Sequence, residues 1–407
     1  MMMRDAVICS PLRTPVGRFG GVFKDVSVTD LGGAVIKALL ERNNLDPAEI
    51  DDVIFGQGYP SGEAPALGRV APLQAGLPTS IPGVQLDRRC GSGLQAICYG
   101  SMMVQTGAAD LVIAGGAESM SNVEYYSTQM RWGPNSDALT MYDRLTRARV
   151  TAGSDCHPVP GGMIETAENL RKEYSIPREE QDALALRSHQ RAVAAWDSGK
   201  FDNEIVPISV PQRRGDPVLV TRDEHPRADT TMEALSGLRA IYGRNDPEST
   251  VTAGNSSGQN DAASACIITT MEKAQELGLK PLGRILGWAV AGVPPRTMGI
   301  GPVHASQKVF DRLGMSISDM EIVELNEAFA AQVLAVTREW KFTESDFDRL
   351  NPNGSGISIG HPIGATGGRI LATLLNEMER RDAQLALETM CIGGGQGISA
   401  VIERVKA

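Results

Sequence analysis

Four side chains in this sequence are of types that do covalent and proton-transfer chemistry, and three of them stand beside glycines. Cys90 lies in Leu86-Asp87-Arg88-Arg89-Cys90-Gly91-Ser92-Gly93-Leu94, where a short apolar lead-in meets a helical pattern. A thiol at a helix N-terminus faces unpaired N–H groups and the positive end of the dipole, and both favour the nucleophilic thiolate. Gly91 and Gly93 would let a carbonyl approach the backbone, with the Cys90 N–H aimed at a developing oxyanion. The plainer alternative is a small buried residue at a helix start. His361, in Gly360-His361-Pro362-Ile363-Gly364, is held extended by Pro362 just before a helix, where it is either a turn residue or a general base. Cys391 opens Cys391-Ile392-Gly393-Gly394-Gly395 after an apolar strand. It is either a strand-end residue before a hairpin or a second thiol able to move a proton, with the Gly393 N–H as an oxyanion donor. Asn326, in Glu324-Leu325-Asn326-Glu327, ends a strand and is suited to hold a water or a carbonyl, or to cap the next helix.

Two other chemistries are weighed against these. Gly254-Asn255-Ser256-Ser257-Gly258 fits G-x-S-x-G, with an apolar strand expected over 250–253 and a helix over NDAASA, and His304 or His361 as partner. That is the context of a hydrolase elbow. A Cys90/His361/Cys391 metal site is not expected, because no short local pair of ligands exists among them. The glycines after Cys391 are not followed by Lys-Ser/Thr, so they do not form a P-loop.

The elements that must position these groups alternate strand and helix. Strands are expected over 5–10, 52–57 and 110–115. Helices are expected over 29–42, capped by Thr29 or Asp30, and over 94–104, where the run is apolar and therefore buried. From 119 to 246 the texture turns to Met, Arg, Pro and charge, with one helical run over 164–198, which reads as an insertion covering something. Alternation then resumes. The flanking portions look like copies. PAEIDDVIFGQG, LDRRCGSGLQA and ADLVIAGGAES are matched by SDMEIVELNEAF, ISIGHPIGATGGR and AQLALETMCIGGGQG. In each copy about forty residues separate the first isoleucine from Cys90 or His361. Duplication would bring equivalent loops, and hence those two residues, to one cleft.

The 407 residues suffice for two or three domains. A net charge of −10 argues against non-specific nucleic-acid or anionic-membrane binding. Six cysteines without C-x-x-C read as reduced thiols of a cytoplasmic protein. MMMRDAVICSPLRTP meets a proline before a signal-peptide core could form, no stretch of 18 apolar residues occurs, and RVKA at the C-terminus is no address signal.

Seven motifs, in order, resemble those of the thiolase family: RTPVGRFGG, CGSGLQA, GGAESMS, VTAGNSSG, NEAFAAQ, GHPIGATGGR and CIGGGQG. The resemblance spans nearly the whole chain. It implies an α/β fold of two duplicated βαβαβαββ halves, layered α/β/α/β/α, with an inserted loop domain. The halves would be 1–118 plus 247–274 and 275–407, with the loop domain at 119–246. It implies reversible CoA-dependent cleavage of a 3-ketoacyl-CoA, or the reverse condensation, through an acyl-thioester on Cys90. His361 would be base and oxyanion partner, Cys391 the second acid/base, and Asn326 the holder of a water in one oxyanion hole. The Cys90 and Gly393 N–H groups would form the other hole, and Arg227 and Ser257 would contact CoA. CoA and acyl-CoA would be substrates, with no resident metal or cofactor, and the protein a homodimer or homotetramer. One departure bears on substrate. The pattern His-Met-Gly ahead of T-A-E-N is common among members acting on acetoacetyl-CoA, and here Gly162 replaces that histidine, so acyl groups bulkier than acetoacetyl are expected.

Overall fold

The computed structural model describes residues 3–133 and 137–405. Met1, Met2, Lys406 and Ala407, at the ends of the two expected halves and in the RVKA reading, lie outside the described residues, as do residues 134–136 of the expected insertion. The chain begins β1 (Val7–Arg13), β2 (Gly17–Arg18), α1 (Val28–Asn43), β3 (Asp52–Gly56), α2 (Leu67–Gln74), β4 (Val84–Leu86), α3 (Ser92–Thr106), β5 (Leu111–Ser119). It then leaves the sheet through β6 (Tyr125–Tyr126), β7 (Tyr142–Asp143), α4 (Arg144–Val150), α5 (Gly162–Glu173), α6 (Arg178–Asp197), β8 (Ile208–Val210), β9 (Val218–Val220) and α7 (Met232–Ser236). It returns as β10 (Asn260–Thr269) and α8 (Met271–Glu276). The second half is β11 (Pro281–Gly292), α9 (Gly301–Leu313), β12 (Ile322–Leu325), α10 (Ala330–Glu339), α11 (Ile363–Arg381), β13 (Leu385–Ile392) and β14 (Gln396–Arg404).

The strands form one path, β12-β13-β14-β11-β1-β10-β5-β3-β4, whose two halves meet where β1 pairs β11. Each half has the same local order. β3 runs parallel to β5, which is antiparallel to β10, and β12 runs parallel to β13, which is antiparallel to β14. The duplication reaches individual hydrogen bonds. Asp51 accepts from the N–H groups of Asp110 and Leu111 at the start of β5, and Glu321 accepts from those of Gln384 and Leu385 at the start of β13.

Strand alternation sorts the apolar side chains into layers. Val7 and Cys9 of β1 face α1 and α2, while Ile8 faces α3 and α11. The opposite face of the second half packs on α9 and α10. Both sheet faces are thus covered, which explains strands that read as unbroken apolar runs. The result is five layers, α/β/α/β/α, with α3 and α11 in the middle.

Several local expectations are corrected. The cap of α1 is Ser27, whose Oγ accepts from the Asp30 N–H at 3.0 Å; Thr29 and Asp30 lie inside the helix. The 164–198 run is two helices, because Pro177 lacks an N–H and keeps the residue before it from continuing the first. Residues 250–253 form no strand, and NDAASA is not helical. It is the start of β10, held between β5 and β1 and buried throughout, where its small side chains suit close packing rather than helix propensity.

Candidate active site

The helices α3 and α11 begin in backbone contact. A Cβ on Gly93 would lie 2.7 Å from the Gly364 carbonyl oxygen, and one on Gly367 would lie 2.1 Å from the Leu94 nitrogen. Only glycine fits there, and the two loops that precede these helices are consequently brought together. One loop carries Cys90 and the other His361. Gly91 packs on Ile392, where a Cβ would meet Cδ1 at 2.7 Å. The two glycines near Cys90 are therefore filled by protein contacts rather than left open for a substrate carbonyl, as the sequence suggested.

Cys90 sits in a 3-10 turn, Arg89–Gly91, immediately before α3. Arg89 is held at φ +47°, a left-handed conformation that costs energy for a residue with a side chain. The turn is fixed by Ser92 Oγ, which accepts from the Arg88 N–H at 2.8 Å and donates to the Arg89 carbonyl at 2.7 Å. The Gly393 N–H and the Cys90 N–H both point at the sulfur. The expectation of a thiolate is nevertheless corrected. Burial raises the Cys90 thiol above its ordinary value, outweighing both N–H groups and the Arg89 charge. A resting thiol of this kind needs a base.

His361 lines the same cavity. Its backbone N–H donates to Asn260 Oδ1 at 2.8 Å, and Nδ1 is 2.7 Å from Thr366 Oγ1. Its Nε2 is buried and has no partner among the described residues. Burial, with Arg369 and Arg149 nearby, lowers its pKa to about 3, so the ring is neutral and able to take a proton. Cys391 is fully buried at the end of β13, in an apolar cluster with Met298 and Phe329, and burial holds its thiol well above the ordinary range. The negative charge that Cys90 would carry acts on it as well. Asn326 follows β12, is fully buried, and has no partner on either amide atom among the described residues. It is not a helix cap, since Phe329 occupies that place.

The cavity has a volume of about 480 Å³ and is lined by Cys90, His361, Gly393 and Ser257, with Met163, Met298 and Phe329 among the apolar residues. Asn326 and Cys391 are not among its lining residues. Arg227 is not either: it lines a separate depression with His189 and Asp197. It lies two residues beyond His225, which stands against Gly258 of the cavity wall. Sequence reasoning missed Glu118, although GGAES contains it. This buried carboxylate accepts from the N–H groups of Gly58, Tyr59 and Gly364 at 2.8, 3.2 and 2.9 Å, tying the loop after β3 to the His361 loop. Burial lifts its pKa to about 7 against those three donors. Thr366 and Asn260 were also missed. Both act by contact with residue 361, which no local pattern marks.

Known proteins are similar to this chain along nearly its whole length. Residues 6–272 match the thiolase N-terminal domain and residues 279–404 the thiolase C-terminal domain. The chain belongs to the thiolase family. An acetyl-CoA acetyltransferase of Pseudomonas aeruginosa is 44% identical over 403 residues, covering 99% of this chain and all of that one. A beta-ketoadipyl-CoA thiolase of Pseudomonas putida is 44% identical with the same coverage. The crystal structure of the Bacillus anthracis acetyl-CoA acetyltransferase superposes with a TM-score of 0.93 at 41% identity, covering 99% and 100% of the two chains. This thiolase is accordingly a CoA-dependent acyltransferase acting on acyl-CoA esters. Among its described residues no helix is long and apolar enough to cross a membrane, and no cluster of three metal-ligating side chains occurs.

The hydrolase alternative fails on geometry. Ser256 Oγ donates to the Thr252 carbonyl at 2.7 Å, and no strand leads into the turn. We expect Ser256→Ala to keep thiolysis of acetoacetyl-CoA within about fivefold of wild type, measured as kcat/KM. A serine nucleophile would lose orders of magnitude.

Proposed function

We propose that this thiolase cleaves 3-ketoacyl-CoA esters, or forms them in reverse, by ping-pong transfer through an acyl-thioester on Cys90. The observation that carries the reading is one cavity holding the Cys90 sulfur, the Gly393 N–H directed at it, and a neutral His361 with a free Nε2. His361, with Nδ1–H donated to Thr366, takes the Cys90 proton at Nε2. The sulfur attacks the 3-keto carbon, and the resulting oxyanion is held by the Cys90 and Gly393 N–H groups. Cleavage between C2 and C3 leaves the acyl group on sulfur and an enolate on the departing acetyl-CoA. The new Nε2–H, with a water on the unpartnered Asn326 amide, holds the enolate oxygen, and Cys391 protonates its carbon. The Cys391 thiolate so formed takes the proton of a second CoA thiol, whose sulfur then takes the acyl group, and the released Cys90 sulfur recovers its proton from His361 Nε2. A thiolate suits this cycle because its thioester is close in energy to that of CoA.

Ser257, on the cavity wall, would meet the pantetheine, and Arg227 the charged end of CoA outside the cavity. We assign residues 119–246 as the loop domain covering the site, between halves at 1–118 plus 247–274 and 275–407. Acyl groups bulkier than acetoacetyl are favoured by Gly162, which lines the cavity without a side chain. The family resemblance supports a homodimer or homotetramer without a resident metal or redox cofactor. Six free thiols support a reducing, cytoplasmic setting.

The test is to incubate the protein with acetyl-CoA, quench in acid and map peptides by mass spectrometry. One acetyl group on Cys90 is the expected result. An adduct on Ser256, or none on any residue, overturns the reading.

A further inference from the structure

We infer that Glu118, in β5 of the first half, is the positioning residue that sets His361 of the second half against Cys90, by bridging two loops through one carboxylate oxygen. The inference rests on the thiolase reading and adds a residue to it. Glu118 is not among the cavity's lining residues, so it acts through others. It lies on the face of β5 that turns Val112 and Ala114 toward the middle layer. Its Oε2 accepts from the Gly58 N–H at 2.8 Å and from the Gly364 N–H at 2.9 Å, and its Oε1 accepts from the Tyr59 N–H at 3.2 Å. Gly364 belongs to the first turn of α11, whose N-cap position is Pro362, a side chain with no acceptor. The cap is therefore supplied from the other half of the molecule, and a carboxylate there suits the positive end of the helix.

His361 rides on that helix start. Its Nδ1 is 2.7 Å from Thr366 Oγ1, which is also on α11, so the ring moves with the turn that Glu118 holds. On the other side Gly58 extends the link toward the nucleophile. Its carbonyl accepts from Arg89 at 2.7 Å, and Arg89 directly precedes Cys90. The Cys90 turn has fixings of its own in Ser92 and Gly91, so His361 is the partner that depends on Glu118. Close approach makes the bridge possible. A Cβ on Gly58 would lie 2.2 Å from Ile363 Cγ2, and one on Gly364 would lie 2.6 Å from the Gly56 carbonyl oxygen. Loss of charge does not break the bridge. Burial brings the Glu118 carboxyl to about 7, and a proton on Oε1 leaves both bonds to Oε2 in place. The site uses the reach of this side chain rather than its charge.

The experiment compares Glu118→Gln, which keeps the length and one oxygen, with Glu118→Asp, which keeps the charge but is shorter by about 1.5 Å. The readouts are kcat and KM for thiolysis of acetoacetyl-CoA, Tm, and rapid-quench formation of acetyl-Cys90 from acetyl-CoA. The last is measured in both the wild-type and the His361→Asn backgrounds. Glu118→Asp is expected to lower kcat and the acetylation rate about 100-fold with KM within about threefold, the scale of a misplacement of about 1 Å. Glu118→Gln should stay within about tenfold of wild type. In the His361→Asn background, adding Glu118→Asp should cost less than about threefold, because the base it places is already gone. An equal cost in both backgrounds overturns the inference, since Glu118 would then serve the fold alone. A folded Glu118→Gln that loses more than tenfold overturns it too, because charge would then be the contribution, and so does a Glu118→Asp that loses less than tenfold. Should Glu118→Asp fail to fold, Glu118→Gln decides by the same tenfold limit. Absence of acetyl-Cys90 in the wild type would overturn the thiolase reading instead.

Discussion

Cys90→Ala is expected to lower thiolysis of a 3-ketoacyl-CoA by about 10⁴-fold or more, equivalent to about 5.5 kcal/mol of lost transition-state stabilisation. The variant should fold, because the turn that carries residue 90 is held by Ser92 and by Gly91 packing on Ile392, and neither contact uses the thiol. No other group can substitute. Cys391 is fully buried with its thiol well above the ordinary range, and the Ser256 hydroxyl is committed to the Thr252 carbonyl. The measurement is CoA-dependent loss of the 3-ketothioester under saturating substrate, with thermal unfolding as a control. Residual activity within a hundredfold of wild type, in a folded variant, would remove Cys90 from the mechanism.

His361→Asn is expected to slow acetyl transfer from acetyl-CoA to Cys90 by about 10³-fold at neutral pH, the range of a lost general base. The pH dependence makes this specific. In the wild type, His361 stays neutral down to about 3, and burial keeps Cys90 a thiol, so neither group changes state near neutrality. The transfer rate should be level from about pH 5.5 to pH 8, without the acidic fall that an ordinary histidine imposes near 6.5. In the variant the thiol must ionise unaided, and only the thiolate fraction reacts. Its rate should climb about tenfold per pH unit toward the raised thiol pKa. Rapid-quench measurement of acetyl-Cys90 formation across that range is the check. A variant with a flat profile and a rate within tenfold of wild type would leave His361 with no proton to move.

Much of this site was legible because its residues share equivalent places in two copies. Cys90 and His361 precede corresponding helices, and spacing alone assigns them to one cleft. The glycines were legible as markers of close approach, but not their partners: Gly93 meets Gly364 across the molecule, a contact between residues far apart in the chain. The charge state of Cys90 was misread for a related reason. A helix N-terminus is a local feature, whereas the burial that outweighs it comes from surrounding segments, including Tyr59 and Arg149 of the cavity wall. The apolar turn before Gly254 looked like a strand because composition cannot report whether a neighbour exists to pair with.

The seam at β1 and β11 has a consequence for how such chemistry could arise. Two identical polypeptides related by a twofold axis must present the same side chain at equivalent points, so a symmetric pair would have two sulfurs or two imidazoles, never one of each. Tethering the copies in a single polypeptide frees each position to be written separately. The asymmetry between nucleophile and base is thus a property of covalent continuity, and the backbone joining the two repeats is what allows unlike partners to face one another.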